Sequence, residues 1–276
     1  MSAAVIEKTI ELPFAATTPI HVARVGLKAR DAEQLSAYYK ALLGFEVIGR
    51  SGNRIALGAG GRELLEIEGS AALKLEDPRS AGLYHTAFLL PARSDLARWT
   101  RHALENRIPI DGASDHLVSE AIYLTDPEGN GIEIYADRAK DKWSFAEGMV
   151  QMATKPLDFR SLLSELRDGD AWKGAPAGSV VGHVHLRVGD VGEAESWWKD
   201  TIGLDTMLHY GDAAVFLSSG GYHHHIGANV WHSRGAGPRA NDTTGLAFVE
   251  LASSGATKAD EVLDPWGTAV RVRPVS

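Results

Sequence analysis

Three residues of this chain could together hold a metal ion: His85, Glu133 and His183. His85 lies early in the strand-like run GLYHTAFLL, and His183 early in VVGHVHLRV. Glu133 lies in IEIY, just after the turn DPEGNG. Two neutral imidazoles and one carboxylate are the ligand set of a mononuclear non-haem Fe(II) centre, which keeps positions open for substrate and oxygen. Taken singly, each residue has a plainer reading. A lone strand histidine is more often a hydrogen-bonded core residue, and Glu133 between Ile132 and Ile134 would more often be plain surface. Their matched places in an internal repeat favour the metal reading.

The repeat runs through most of the chain. GLKARDAEQLSAYYKALLGFEV, from Gly26, aligns with HLRVGDVGEAESWWKDTIGLDT, from His185. Leu27 then falls on Leu186, Asp31 on Asp190, Tyr38-Tyr39 on Trp197-Trp198, and Leu43-Gly44 on Ile202-Gly203. Each copy reads as strand, Asp cap, amphipathic helix with those aromatics on its core face, glycine stop and strand. RIALGAGG and ELLEIEG follow the first copy, AVFLSSGG and YHHHIGANVW the second.

A second pair matches GLYHTAFLLPA…DPEGNGIEIYAD with GLAFVELASS…DPWGTAVRVRP. The first member holds a helix over roughly Ser94 to Asn106, with Leu96, Trp99, Ala103 and Leu104 on one face. The second has no room for a helix and is truncated. The DPEGNG and DPWG stretches read as turns whose Asp, Pro and Gly serve the backbone.

The fold class is therefore α+β, built of βαβββ modules whose curved sheets face cups. Four modules are expected, over about 20–75, 82–137, 180–231 and 245–274. Residues 1–137 form an N-terminal domain and 180–276 a C-terminal one. The linker 138–179 carries a short helix in PLDFRSLLSEL, with Pro156 in its first turn.

Equivalent positions now mean equivalent places in a cup. The first-strand position is Arg24, His85, His183 and Phe248 in the four modules. The last-strand position is roughly Glu66, then Glu133, one of His223 to Ile226, and Arg271. Modules two and three are thus expected to share one metal cup, and modules one and four a second, metal-free one.

Strand alternation places His185 on the face of His183, and puts His223 and His225 together on one face of YHHHIG. His225 is the expected acid–base residue, with His223 the alternative, since imidazole titrates near neutral pH. His224 should point away and be structural. The Gly-rich WHSRGAGPRANDTTG could cover the cup mouth, with Trp231, His232 and Arg234 as substrate-contact candidates. His116 either supports the site or fixes a loop with Asp115.

Composition narrows the partners. The chain has 276 residues, 44% hydrophobic and 23% charged, as in ordinary globular proteins. It has no cysteine, which excludes disulfides and thiolate chemistry. Net charge is −8 without a basic cluster, so nucleic acid is not an expected partner. No apolar run nears 18 residues, so no membrane span is expected. Glu7, Lys8 and Glu11 stand where a signal peptide needs an apolar core, so a cytoplasmic place is expected.

The segments GLYHTAFLLPARSDLARWTRHAL, GASDHLVSEAIYLTDPEGNGIEIYADR and AGSVVGHVHLRV…GGYHHHIGANVW resemble the vicinal oxygen chelate superfamily. That superfamily includes glyoxalases, bleomycin resistance proteins and extradiol dioxygenases, and the likeness is to the four-module catechol-2,3-dioxygenase-like group. The resemblance implies one divalent metal, Fe(II) in the dioxygenases, with Mn(II) or another divalent ion as alternatives. Its ligands would be His85, His183 and Glu133, and Tyr123 would contact substrate or bound oxygen. It implies a small aromatic diol and O2 as partners, with a homo-oligomer compatible. Two alternatives are a glyoxalase-like isomerase or thiol transferase, which typically adds a second carboxylate ligand, and a non-catalytic binding protein.

Overall fold

The computed structural model describes residues 10–275, so Glu7 and Lys8 of the N-terminal reading lie outside the described residues. Module one runs β1 (Ile20–Ala29), α1 (Ala32–Leu43), β2 (Glu46–Ser51), β3 (Arg54–Ala59) and β4 (Arg62–Gly69). Module two runs β5 (Gly82–Leu89), α2 (Arg93–Glu105), β6 (Gly112–Asp115), β7 (Ser119–Thr125) and β8 (Gly131–Asp137). The connector forms β9 (Phe145–Ala146), β10 (Met149–Val150), β11 (Lys155–Pro156) and α3 (Phe159–Leu163). Module three runs β12 (Val180–Arg187), α4 (Val191–Trp197), β13 (Asp205–Tyr210), β14 (Ala214–Ser218) and β15 (Ile226–Asn229). Module four keeps only β16 (Gly245–Ser253), β17 (Asp260–Leu263) and β18 (Ala269–Pro274).

The repeat recurs in the caps. Asp31 accepts the Gln34 N–H at 3.0 Å and Asp190 the Glu193 N–H at 2.8 Å, each satisfying a free donor of its helix's first turn. Gly44 and Gly203 follow α1 and the turn after α4 at φ +67° and +85°, left-handed angles that suit glycine. Leu96, Trp99 and Ala103 of α2 are buried, but Leu104 is 57% exposed, on the solvent edge rather than the core face. Helix α3 starts later than expected because Asp158, not Pro156, caps it by accepting the Ser161 N–H. Pro156 instead lies in β11 beside β6.

The strands form two large curved sheets. One has the order β17-β18-β16-β1-β4-β3-β2, the other β11-β6-β7-β8-β5-β12-β15-β14-β13. Modules one and four therefore share a sheet through antiparallel β1 and β16. Modules two and three share the other through antiparallel β5 and β12. Within each module, the first strand runs parallel to its last, as β5–β8 and β12–β15 do. Trp99, Tyr39, Phe88, Trp198 and Leu186 belong to the main apolar core under these strands.

The two DPxG turns are built alike. Asp126 accepts the N–H groups of Glu128 and Asn130, both at 2.9 Å. Asp264 accepts those of Trp266 at 3.0 Å and Thr268 at 2.7 Å. Asp126 also accepts Asn130 Nδ2 and the Tyr39 hydroxyl of α1, so it pins the entry of β8 to module one. Asp126→Ala leaves several of these buried donors unpaired, a cost of about 3 kcal/mol. A melting temperature lower by roughly 10 °C is the expected calorimetric result.

Candidate metal centre

Pairing of β5 with β12 sets His85 opposite His185, and His183 opposite Ala87. Parallel pairing of β5 with β8 sets Ala87 beside Glu133. Side chains two apart share a strand face, so His85, His183 and Glu133 all project into one cup. His85 Nε2 lies 3.0 Å from Glu133 Oε2, and His183 Nε2 lies 3.1 Å from the same oxygen. The two Nε2 atoms are 3.4 Å apart. Donors bound to one ion at about 2.1 Å and at right angles to each other would be about 3.0 Å apart. The three atoms thus have the spacing of one face of an octahedron, and the donor set suits a divalent first-row metal.

All three side chains are buried, between 2% and 6% exposed. Burial drives the His183 pKa down to about 4, against the pull of Glu133, so its ring is neutral at pH 7. Burial pushes Glu133 up, but His183 and His85 outweigh it and hold the carboxyl well below its usual range. A neutral imidazole and an ionised carboxylate are the states that bind metal.

The register also shows what stands at the equivalent of Glu133 in module three. Residue Ala87, two after His85, pairs with Glu133, and His185, two after His183, pairs with Gly227. The expectation of a residue from His223 to Ile226 is therefore corrected to Gly227, which has no donor. A Cβ there would lie 2.9 Å from two carbons of the His185 ring, so that imidazole occupies the space. The outer cup is filled differently. Arg24 donates to Glu63, Glu66 and Glu250 at 2.6, 3.3 and 3.0 Å, and the Arg271 guanidinium lies 3.8 Å from the Phe248 ring centre.

The triad opens onto a cavity of about 750 Å³. Tyr84, Leu124, Met152, Leu208, Phe216 and Trp231 form much of its apolar wall. Tyr123, His116, His185, His224 and His232 also line it. Tyr123 Oη is 2.6 Å from His116 Nε2. His116 Nδ1 is 2.8 Å from the Ala153 carbonyl, which can only accept, so Nδ1 carries the proton. His116 Nε2 then accepts the Tyr123 hydroxyl, which leaves the Tyr123 oxygen able to accept a further hydrogen bond. Burial, with the Glu133 charge nearby, keeps Tyr123 protonated. Both readings of His116 hold: it lines the cavity through Tyr123, and it closes the hairpin loop by donating its backbone N–H to the Ser119 carbonyl at 2.9 Å, while Asp115 accepts the Leu117 N–H and pairs with Arg138.

The histidine tract departs from its expectation. His225 does not face the cup. Its Nδ1 lies 2.9 Å from Ser218 Oγ, and its Nε2 lies 3.0 Å from the Ala15 carbonyl and 3.2 Å from Thr18 Oγ1. His223 is turned to Asp137, its Nε2 2.9 Å from Oδ1, and does not line the cavity. His224, expected to be structural, is the one that lines the cavity, its ring centre 4.0 Å from that of His183. The physical reason is that residues 222–225 are not a strand, and β15 begins only at Ile226. Gly220 and Gly221, at φ +66° and +76°, turn the chain just before the tract.

Of the mouth candidates, Trp231 and His232 line the cavity, whereas Arg234 points to Asp212 on the surface. Tyr135, Tyr222 and Asp137 carry the hydrogen bonds behind the triad, and sequence reasoning missed them. His183 Nδ1 lies 3.2 Å from Tyr135 Oη, which lies 2.7 Å from Tyr222 Oη, which donates to Asp137 Oδ1 at 3.3 Å. Gly182 makes this possible, because a Cβ there would stand 1.7 Å from Tyr135 Oη.

Among the described residues, no helix is long and apolar enough to cross a membrane. The model of the glyoxalase/bleomycin resistance protein/dioxygenase superfamily matches residues 21–134. A catechol-2,3-dioxygenase from Bacillus subtilis (strain 168) is 39% identical over 235 residues, 84% of this chain and 82% of that protein. Two solved structures share the fold at 12% identity. One, from Bacillus subtilis, has a TM-score of 0.61 and covers 92% of this chain and 84% of its own. The other, glyoxalase I from Zea mays, has a TM-score of 0.56 and covers 92% of each. With that extent of identity and a shared architecture, the chain belongs to the glyoxalase, bleomycin resistance protein and dioxygenase superfamily, the vicinal oxygen chelate fold, and is a homologue of catechol-2,3-dioxygenase.

Proposed function

We propose that this chain is an Fe(II)-dependent extradiol dioxygenase that places both atoms of O2 into a catechol-type aromatic ring. The observation that carries the reading is the open-sided donor set: three convergent atoms, with Gly227 where a fourth donor would stand. His85, His183 and Glu133 would hold the iron. When bound, it would bring diol and dioxygen together and carry electron density between them.

The protein's own groups supply the rest. The apolar wall excludes water and seats an aromatic ring. His224, beside His183, takes the proton of a diol hydroxyl and returns it to an oxygen of the ring-opened product. Burial holds its pKa well below the usual histidine range, so it meets the diol as a neutral base. Tyr123, its own proton committed to His116, offers oxygen lone pairs to a second substrate hydroxyl. The cavity is far larger than bare catechol needs, and His185 Nε2, buried without a partner, favours a substituted ring.

Gly227 weighs against the isomerase alternative, which typically adds a second carboxylate. The converged donors weigh against a metal-free binding protein. The test is iron-loaded protein with substituted catechols and hydroquinones under air. Oxygen uptake matched to diol consumed, with a yellow ring-fission product, is expected. No uptake across the panel would remove the proposal, and isomerase activity with Ni or Mn and no oxygen use would replace it.

A further inference from the structure

We propose that Asp137 is a positioning residue that sets the proton arrangement on both sides of the active site. One branch turns the bare Nε2 of His183 toward the metal, and the other turns the bare Nε2 of His224 toward substrate. The second half of this statement rests on the dioxygenase reading. The first rests only on the metal centre.

A carboxylate oxygen can only accept hydrogen bonds, so Asp137 Oδ1 fixes direction in both chains that end on it. In the first chain, Tyr222 donates to Oδ1 at 3.3 Å. The Tyr222 oxygen is then free to accept from Tyr135, 2.7 Å away. The Tyr135 oxygen in turn accepts from His183 Nδ1–H at 3.2 Å. With its proton on Nδ1, His183 presents a lone pair at Nε2, the atom that faces Glu133 and His85.

In the second chain, His223 Nε2–H donates to the same Oδ1 at 2.9 Å. Its Nδ1 is then a lone pair, and it accepts from His224 Nδ1–H at 2.8 Å. This leaves His224 Nε2 without a proton, in a ring that lines the cavity. A base needs that tautomer. The opposite one would offer substrate an N–H and no acceptor.

Water cannot readily stand in for these partners. Tyr135, Tyr222 and His223 have no exposed surface, and His183 is 2% exposed. Asp137 ends β8, the strand that carries Glu133, so the metal carboxylate and the branch point move as one element. Tyr135, Tyr222, His183, His223 and His224 are five buried polar side chains, and each has a partner. A satisfied buried network of this kind specifies one arrangement.

The test compares Asp137→Asn with variants that cut single branches, Tyr135→Phe and His223→Phe. In histidine-labelled protein, nitrogen NMR should place the proton on Nδ1 of His224 with or without metal, and on Nδ1 of His183 once zinc fills the site and Nε2 no longer donates to Glu133. Asp137→Asn should disturb both tautomers, weaken metal binding about tenfold and lower kcat at saturating metal about tenfold. Tyr135→Phe should shift the metal dissociation constant more than kcat, and His223→Phe the reverse. A merely structural role would move melting temperature without that split. The inference is overturned if His224 carries its proton on Nε2 in the parent protein. It is also overturned if Asp137→Asn leaves tautomers and metal affinity unchanged. If no diol is cleaved by the parent protein, the dioxygenase reading falls, while the tautomer and metal measurements still decide the role of Asp137.

Discussion

Glu133→Ala should leave a folded protein that no longer retains iron, with oxygen uptake lower by on the order of a thousandfold or more. The argument is geometric and electrostatic. Glu133 Oε2 is the atom both histidine nitrogens approach, at 3.0 and 3.1 Å. It is also the one carboxylate of the three-residue cluster. Without it, two neutral imidazoles remain in a buried site, and a divalent ion there would lack the only negative charge among its donors. Changes to groups that merely support a ligand already cost about 10- to 100-fold in metal affinity, so loss of a ligand should cost more. Circular dichroism and metal analysis on the same sample separate a lost metal from a lost fold. An iron-replete, fully active Glu133→Ala protein would refute the ligand assignment.

The second large effect distinguishes neighbours in one tract. His224→Gln is expected to lower kcat by about a hundredfold or more at saturating iron and diol, the usual contribution of a positioned proton acceptor. Its melting temperature should move less than that of a variant with no donor, because a glutamine amide can still donate to His223 Nδ1. His225→Gln should do the opposite. His225 joins Ser218 to Ala15 and Thr18, so its loss leaves buried groups unpaired while the reaction machinery stays in place. Burial holds the His225 pKa at about 3, so its ring is neutral near pH 7. Steady-state kinetics and calorimetry on the two variants give the comparison. A His225→Gln variant that loses kcat while His224→Gln keeps it would return the assignment to His225.

Much of this site could be read in the sequence, because repeat position and spatial position coincide. His85, Glu133 and His183 stand at matching points of modules two and three, and the pairing of β5 with β12 brings those points together. The same register explains the outer cup, where Arg24, Phe248 and Arg271 stand at the corresponding places. The DPxG turns were equally legible, since their aspartates bond backbone N–H groups at fixed offsets.

Other features were hidden for physical reasons. Alternation sorts side chains only inside a strand, and YHHHIG is bent until Ile226, so His224 and His225 take each other's expected places. Gly227 could not be recognised as the vacant donor position without strand register. Tyr222 meets Tyr135 and Asp137 of β8 from a distant part of the chain, and nothing in their local motifs marks them. Leu104 has the right helical phase for the core, but it lies at the edge of the stripe, where one position decides exposure.

The central claim is that His85, Glu133 and His183 make one metal centre. Metal analysis of the protein purified from iron-supplemented cells tests it most directly. Near-stoichiometric iron that is lost in His85→Ala, Glu133→Ala and His183→Ala alike is the predicted result. A parent protein that binds no divalent metal stoichiometrically, or one whose metal survives all three substitutions, would contradict it.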